Sequence, residues 1–220
     1  DLLPVRVGAV DFDPLVRAPG SVRLPMGTSA ILSLRFELTG GEGTWASPQL
    51  KRLRGFIDAE PSVAAALRDS LFLRRCGVWA SSDDGRWVQL GADAVQPVGF
   101  EPDEALIDWP QRAHDAYRHL TEYFAFAEKY NFFDLKVDAM PSAVRRGRVL
   151  NVHVLLTGLR ADSDASRLLQ TLGRNNVRLG CVPVVNLFRQ RGEPIRLTHR
   201  QSSYPVVADA RRAYAYEVVA

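Results

Sequence analysis

Only two cysteines, Cys76 and Cys181, occur in 220 residues, so no disulfide framework holds this chain together. They lie far apart in apolar company and read as small buried hydrophobes of a reducing compartment. Lysine is scarce: of 28 basic residues, three are lysines (Lys51, Lys129 and Lys136) and the rest arginines. The arginines come in scattered twos and threes, such as Arg52/Arg54, Arg74/Arg75, Arg145/Arg146/Arg148 and Arg211/Arg212. A nucleic-acid footprint gathers basic residues on one face, so no nucleic-acid partner is expected. No run approaches the roughly 20 apolar residues needed to cross a bilayer as a helix, which argues against direct membrane insertion. The opening Asp1-Leu2-Leu3-Pro4 has neither an initiator methionine nor a signal-peptide pattern, and reads as the start of a middle portion of a longer protein.

Catalytic signatures are equally scarce. There is no G-x-S-x-G elbow and no phosphate loop of either common type. Two histidines share a metal on a helix when they stand at i and i+4, but His114 and His119 are five apart, about 140° around the axis. His153 sits in an apolar strand and reads as a hydrogen-bonded core histidine. Cys181 with His199 is the one nucleophile–base pair to weigh. Cys181 precedes Val182-Pro183-Val184-Val185, an apolar setting that leaves a thiol unreactive. The carboxylate pairs Asp83/Asp84 and Asp103/Glu104 fall in loops, where solvation explains them. No catalytic residue, cofactor or metal is expected.

What remains is an ordinary globular composition, 46% hydrophobic and 24% charged, with enough length to bury a core. Alternation predicts strands over Val5–Phe12 and Ala30–Leu38, and again over Leu50–Ile57. The glycine-rich Gly40–Gly43 break suggests that the second and third form a hairpin. Pro61 suits the first turn of a helix that the spacing carries to Arg75. Gly77–Ala80 and Arg86–Leu90 flank an Asp83-Asp84-Gly85 turn.

Prolines 97, 102 and 110 mark a candidate boundary. Ala113, Ala116, Tyr117, Leu120, Tyr123, Phe124 and Ala127 then form one apolar helical stripe, which by default packs inward, while Phe126 falls off it. Phe132–Val137 and Val149–Thr157 read as strands, Pro141–Arg148 as an exposed loop, Ala165–Leu172 as a short helix and Val177–Val219 as β-rich. The fold class is α+β, β-rich, with two small sheet-plus-helix subdomains. A faint internal repeat relates Ala30–Cys76 to Phe132–Cys181. The division is 1–100, a first β-rich subdomain; 101–140, a linker with the aromatic helix and a strand; and 141–220, a second β-rich subdomain.

Three ordered blocks resemble the TssF family of type VI secretion baseplate proteins. The first is Val98-Gly99-Phe100 with Glu101 to Ile107. The second runs from His119 to Leu135 and holds Glu122, Tyr123, Phe124, Phe126, Lys129, Phe132 and Phe133. The third carries Cys181, Pro183, Asn186, Leu187 and Phe188, then Glu193 and Pro194, then Tyr204, Pro205 and Asp209. The blocks span Val98 to Asp209, and Leu50–Ile57 resembles a further strand of that family. Ala127 stands where the family usually has proline, so the helix is expected to continue smoothly. Val182 replaces a threonine and Arg189 an acidic residue.

The resemblance implies the middle of a wedge subunit and a non-catalytic structural role. It implies TssG-like, TssK-like and TssE-like partners and a second TssF copy. It also implies a cytoplasmic place in a baseplate docked at the inner membrane complex, where the assembly nucleates a contractile sheath and tube. The motif residues read as core or interface. Two alternatives stay open: a cysteine-dependent enzyme built on Cys181 and His199, and a basic nucleic-acid-binding module. Sticky surface is expected at the Pro141–Arg148 loop or the carboxyl-terminal strands.

Overall fold

A computed structural model of the chain describes residues 4–41, 43–46, 50–110, 112–186 and 192–207, with the backbone of 216–219. In chain order the elements are β1 (Val5–Asp13), β2 (Thr28–Leu38), β3 (Arg52–Ile57), α1 (Pro61–Phe72), β4 (Arg75–Ser81), β5 (Val88–Gln89) and β6 (Val95–Pro97). There follow α2 (Asp115–Ala125), β7 (Phe132–Lys136), α3 (Ser142–Arg145), β8 (Val149–Thr157), α4 (Asp164–Leu169), β9 (Val177–Leu179), β10 (Ser203–Val206) and β11 (Tyr216–Val219). Residues 1–183 form one compact unit and 184–220 a second. The second contains the antiparallel β10–β11 pair.

The first unit is built on two antiparallel sheets, ordered β1-β2-β8-β4-β5 and β6-β7-β3-β9. The period of two explains the first sheet. Ala30, Leu32, Leu34 and Phe36 of β2 stand beside Leu150, Val152, Val154 and Leu156 of β8 and Val78 and Ala80 of β4, all in one buried core. Leu53 and Ile57 of β3, Phe133 and Leu135 of β7, and Ala64, Leu67 and Leu71 of α1 complete it. A fully buried side chain of this size contributes about 1.5–3 kcal/mol, so this core dominates the stability. Gly55 belongs to it for a steric reason. A Cβ there would lie 2.4 Å from the Phe133 ring directly opposite.

The outer face of the first sheet carries His153, as the sequence suggests. Its Nδ1 lies 3.0 Å from Ser33 Oγ, its Nε2 lies 3.1 Å from Ser81 Oγ, and Trp87 stacks on the ring at 3.8 Å. Burial lowers the imidazole pKa from its ordinary value to about 4, so His153 is neutral near neutrality.

Several expectations change. The β2–β3 hairpin does not form: β2 lies between β1 and β8, while β3 lies in the other sheet between β7 and β9. The intervening stretch is tied down elsewhere. Trp45 is fully buried, with Nε1 donating to the Arg148 carbonyl at 3.0 Å. Helix α1 stops at Phe72 and not Arg75, because the Leu73 and Arg74 N–H groups both turn back onto the Asp69 carbonyl and Arg75 starts β4.

Pro141–Arg148 is not an exposed loop. It contains α3 with Val144 buried, and the Arg148 guanidinium donates to the carbonyls of Leu38, Gly40, Gly41 and Gly43. The β-rich tail is sparser than read: 181–186 and 192–198 carry no regular structure.

The α+β, β-rich class stands. Strand pairing interleaves the three stretches of the sequence division: β8 sits at the centre of the first sheet, and β6 pairs with β7 across residue 100. The internal repeat is not confirmed: α3 intervenes between β7 and β8, where β2 and β3 have no helix between them, and each half contributes strands to both sheets.

Candidate functional site

Helix α2 has the strongest amphipathic pattern in the sequence, and the structure turns it over. Its buried residues are Arg118 and Glu122, with side chains 2% and 3% exposed. Tyr117, Leu120, Tyr123 and Phe124 lie outside, at 65%, 54%, 46% and 83%. The stripe expected to pack inward is solvent-facing.

Charges hold the inner side. Lys129, itself 2% exposed, donates to Glu122 Oε2, and Arg118 Nη1 stands 3.8 Å from the same oxygen. The other carboxylate oxygen accepts the Leu106 N–H at 2.8 Å. Arg118 also donates to the carbonyls of Phe100 (3.0 Å) and Glu101 (3.3 Å). Every ion here has a partner and a hydrogen bond, the condition under which buried charge is tolerated. Burial pushes the Glu122 carboxyl up, but the Lys129 and Leu106 hydrogen bonds with the Lys129 and Arg118 charges outweigh it and hold it below the usual carboxylate range.

The helix ends by the same device. Its start is capped by His114 Nδ1, which accepts the Ala116 N–H. At its end Phe126 leaves the helical region (φ −157°, ψ 75°), its N–H donating to the Glu122 carbonyl at 2.7 Å. A 3-10 turn over Ala127–Asn131 then swings Lys129 back under the helix. The smooth continuation expected from Ala127 is overturned. No proline is needed for the stop, because reaching Glu122 requires the chain to turn.

A second ion chain anchors the segment before α2. Arg54 on β3 donates to both oxygens of Asp134 at 2.8 Å and to Glu104 Oε1 at 3.2 Å. Glu104 Oε2 accepts the Gly99 N–H at 2.6 Å. Gly99 has φ +104° and packs on Lys129, a backbone state and a close approach that favour glycine.

Beside the exposed stripe lies an apolar groove of about 450 Å³ between the end of α1 and α2. Phe72, Leu73, Pro97, Phe100, Leu120 and Tyr130 line it, with Arg68, Asp69 and His119 at its edge. Tyr130 donates to the His119 carbonyl at 3.1 Å, fixing the groove floor to the helix.

The other motif residues separate by block. Phe132 and Phe133 are core, Phe132 tilted on Phe56 at 4.7 Å, and Phe126 is half-buried. In the cysteine–proline segment Cys181 and Pro183 are half-buried, whereas Val182, Val184, Val185 and Asn186 are exposed and carry no strand pairing among the described residues. Leu187, Phe188, Arg189 and Asp209 lie outside the described residues.

Glu193, Pro194 and Pro205 are exposed. Tyr204 is buried, its oxygen taking the N–H groups of Thr198 (3.1 Å) and His199 (2.9 Å); the Thr198 hydroxyl and these amides hold the phenol below its ordinary pKa. Cys181 falls in the first unit and His199 in the second. Among the described residues no group of three or more His, Cys, Asp or Glu could hold a metal, and no helix is long and apolar enough to cross a membrane. Sequence reasoning missed Arg118, Arg54 and Asp134, and read Glu104 as a solvated loop carboxylate, whereas it accepts from Arg54 and from the Gly99 N–H. The Arg118–Glu122 i,i+4 spacing was the available signal.

The sequence profile of the family described as type VI secretion system, TssF, matches residues 1–220. TssF1 of Pseudomonas aeruginosa, a type VI secretion system component, is 29% identical over an alignment of 189 residues that covers 84% of this chain and 29% of that protein. A chain in a cryo-electron microscopy structure of a TssK-TssF-TssG baseplate subcomplex superposes with a TM-score of 0.62 at 21% identity. The match covers 95% of this chain and 36% of that one, and shows a shared fold. The chain therefore spans about a third of the length of these relatives. With every residue from 1 to 220 inside the profile, it belongs to the TssF family of the type VI secretion system.

Proposed function

We propose that the chain is a non-catalytic structural part of a type VI secretion baseplate wedge, working through protein–protein contacts. The observation that carries this is the family match from residue 1 to 220, combined with the outward aromatic face of α2. Exposed Tyr and Phe next to an apolar groove are the composition of a protein interface core. Helix α2 holds that face on a cluster of buried ion pairs, a fixed seat for a contact surface.

Arginine use agrees with this reading. Arg54, Arg118 and Arg148 are occupied by carboxylates and backbone carbonyls of the chain itself. The similar fold was solved with TssK and TssG, which supports TssG-like and TssK-like partners. We extend the proposal to a TssE-like partner, a second copy of the chain, and a cytoplasmic baseplate docked at the inner membrane complex. In such an assembly the wedge transmits strain through large interfaces and reacts with nothing.

Co-expression of the chain with tagged TssG-like and TssK-like proteins tests the proposal. Co-purification through the tag supports it. A folded chain that elutes alone from both counts against it.

A further inference from the structure

We infer that the connection between β1 and β2, residues 14–27, is a preformed docking arm for an acidic segment of another protein, one that carries apolar side chains between its carboxylates. The inference deepens the reading above: it rests on the chain working through protein contacts and gives one contact a place and a chemistry.

The arm is held from beneath. Val16 and Val22 pack on Ile31, Trp79 and Leu155, a small apolar cluster on the outer face of the first sheet. Its backbone is pinned at intervals. The Leu15 N–H donates to Asp13 Oδ1 at 2.8 Å, the Val22 N–H to the Pro19 carbonyl at 2.9 Å, and the Thr28 hydroxyl to the Pro25 carbonyl at 2.6 Å. At the far end Thr157 Oγ1 of β8 donates to the Gly27 carbonyl at 2.9 Å. Pro14, Pro19 and Pro25 fix their own φ, so the arm has little backbone freedom left to lose on binding.

Its upper side is apolar. Leu15 is 64% exposed, Leu24 41% and Met26 101%. A single exposed apolar side chain is ordinary. Three on one pinned connection, with two valines turned under it, make a surface with an inside and an outside.

The charges name the occupant. Residues 14–27 hold Arg17 and Arg23 and no carboxylate. Both arginines are exposed: Arg17 has a solvent-facing pair with Asp13 at 3.6 Å, and Arg23 has no ion pair among the described residues. Arg74 donates to the Gly158 carbonyl at 3.1 Å, next to the Thr157 that holds Gly27, and brings a third guanidinium to that end of the arm. Guanidinium groups grip carboxylates through two parallel hydrogen bonds, and Leu24 and Met26 need apolar side chains opposite them. An anionic bilayer fits less well, because attraction to it builds from clusters of roughly four to eight basic residues.

Met26→p-benzoylphenylalanine, in cells that make the chain together with TssG-like and TssK-like proteins, tests this by photo-cross-linking. The expected product, sequenced by mass spectrometry, is a cross-link to a peptide in which Asp or Glu flank apolar residues. Arg17→Glu with Arg23→Glu lowers its yield roughly tenfold, since each change turns an attraction into a repulsion, and Leu24→Asp lowers it on a similar scale. All four positions are exposed, so the fold is kept and circular dichroism confirms it.

A cross-link to lipid, to a peptide without carboxylates, or to nothing overturns the inference, as does a yield indifferent to the arginine reversals. Each of these outcomes leaves co-purification with TssG-like and TssK-like proteins standing. Loss of that co-purification with the acidic cross-link intact overturns the wedge reading alone.

Discussion

The paired sheets and the α2 segment are built on opposite plans. In the sheets, apolar side chains from β2, β8, β4, β3 and β7 meet in one core, and Ile31, Trp79 and Leu155 form a smaller apolar cluster on the other face of the first sheet. From Phe100 to Asn131 the inside is Arg118, Glu122 and Lys129 with the ring of Tyr130, and the outside is Tyr117, Leu120, Tyr123 and Phe124. The first plan gains stability from removing surface from water. The second spends charge–charge and charge–backbone bonds on fixing a helix in one orientation and leaves its apolar side free. An amphipathic pattern thus says that two faces differ, and the depth and pairing of its charges decide which one is inside.

Removing a charge tests the second plan most severely. Glu122→Ala leaves Lys129 and Arg118 buried without their counter-ion, at a cost of about 3–5 kcal/mol. Hydrogen exchange is expected to show amides of 115–131 losing protection while those of β2 and β8 keep theirs. Equal loss in both regions would erase the distinction.

Acid separates the regions next. His153 titrates near 6.5 when unfolded and at about 4 when folded, so the unfolded chain binds the proton first. Stability is complete above pH 6.5, falls as the pH drops from there to about 4, and loses about 3 kcal/mol in all. Glu122, with its pKa lowered, contributes stability that is present above the ordinary carboxylate range and is lost as the pH falls below it. Urea midpoints against pH are therefore expected to decline first through the sheets, and His153→Gln should flatten the decline between 6.5 and 4.

A smaller effect belongs to the packed sheets alone. Gly55→Ala pushes a Cβ into the Phe133 ring and costs about 1–3 kcal/mol, read as a lower melting temperature. The smallest is outside: Phe124→Ser changes stability by no more than about 0.5 kcal/mol. A large loss there would mean that the face is packed within the chain.

Strands β1, β2 and β8 were legible because alternating side chains encode their own burial. So was the β4–β5 hairpin, since Asp83-Asp84-Gly85 specifies a turn locally. Helix α1 was legible from Pro61 and its apolar spacing. What escaped depends on partners far along the chain. Whether β2 pairs with β3 or with β8 is set by a strand more than a hundred residues away. The orientation of α2 depends on Lys129 returning from the following turn and on the backbone of Phe100, Glu101 and Leu106. Tyr123 and Phe124 were read as core with Phe132 and Phe133; only the second pair sits on a strand whose neighbours bury it.

Hydroxyl-radical footprinting of the native chain, diluted to hold it monomeric, asks the deciding question directly. The account predicts rapid oxidation of Phe124 and Tyr117, with Phe132 and Phe133 protected. Protection of Phe124 and Tyr117 at that dilution, to the level of Phe133, would contradict it.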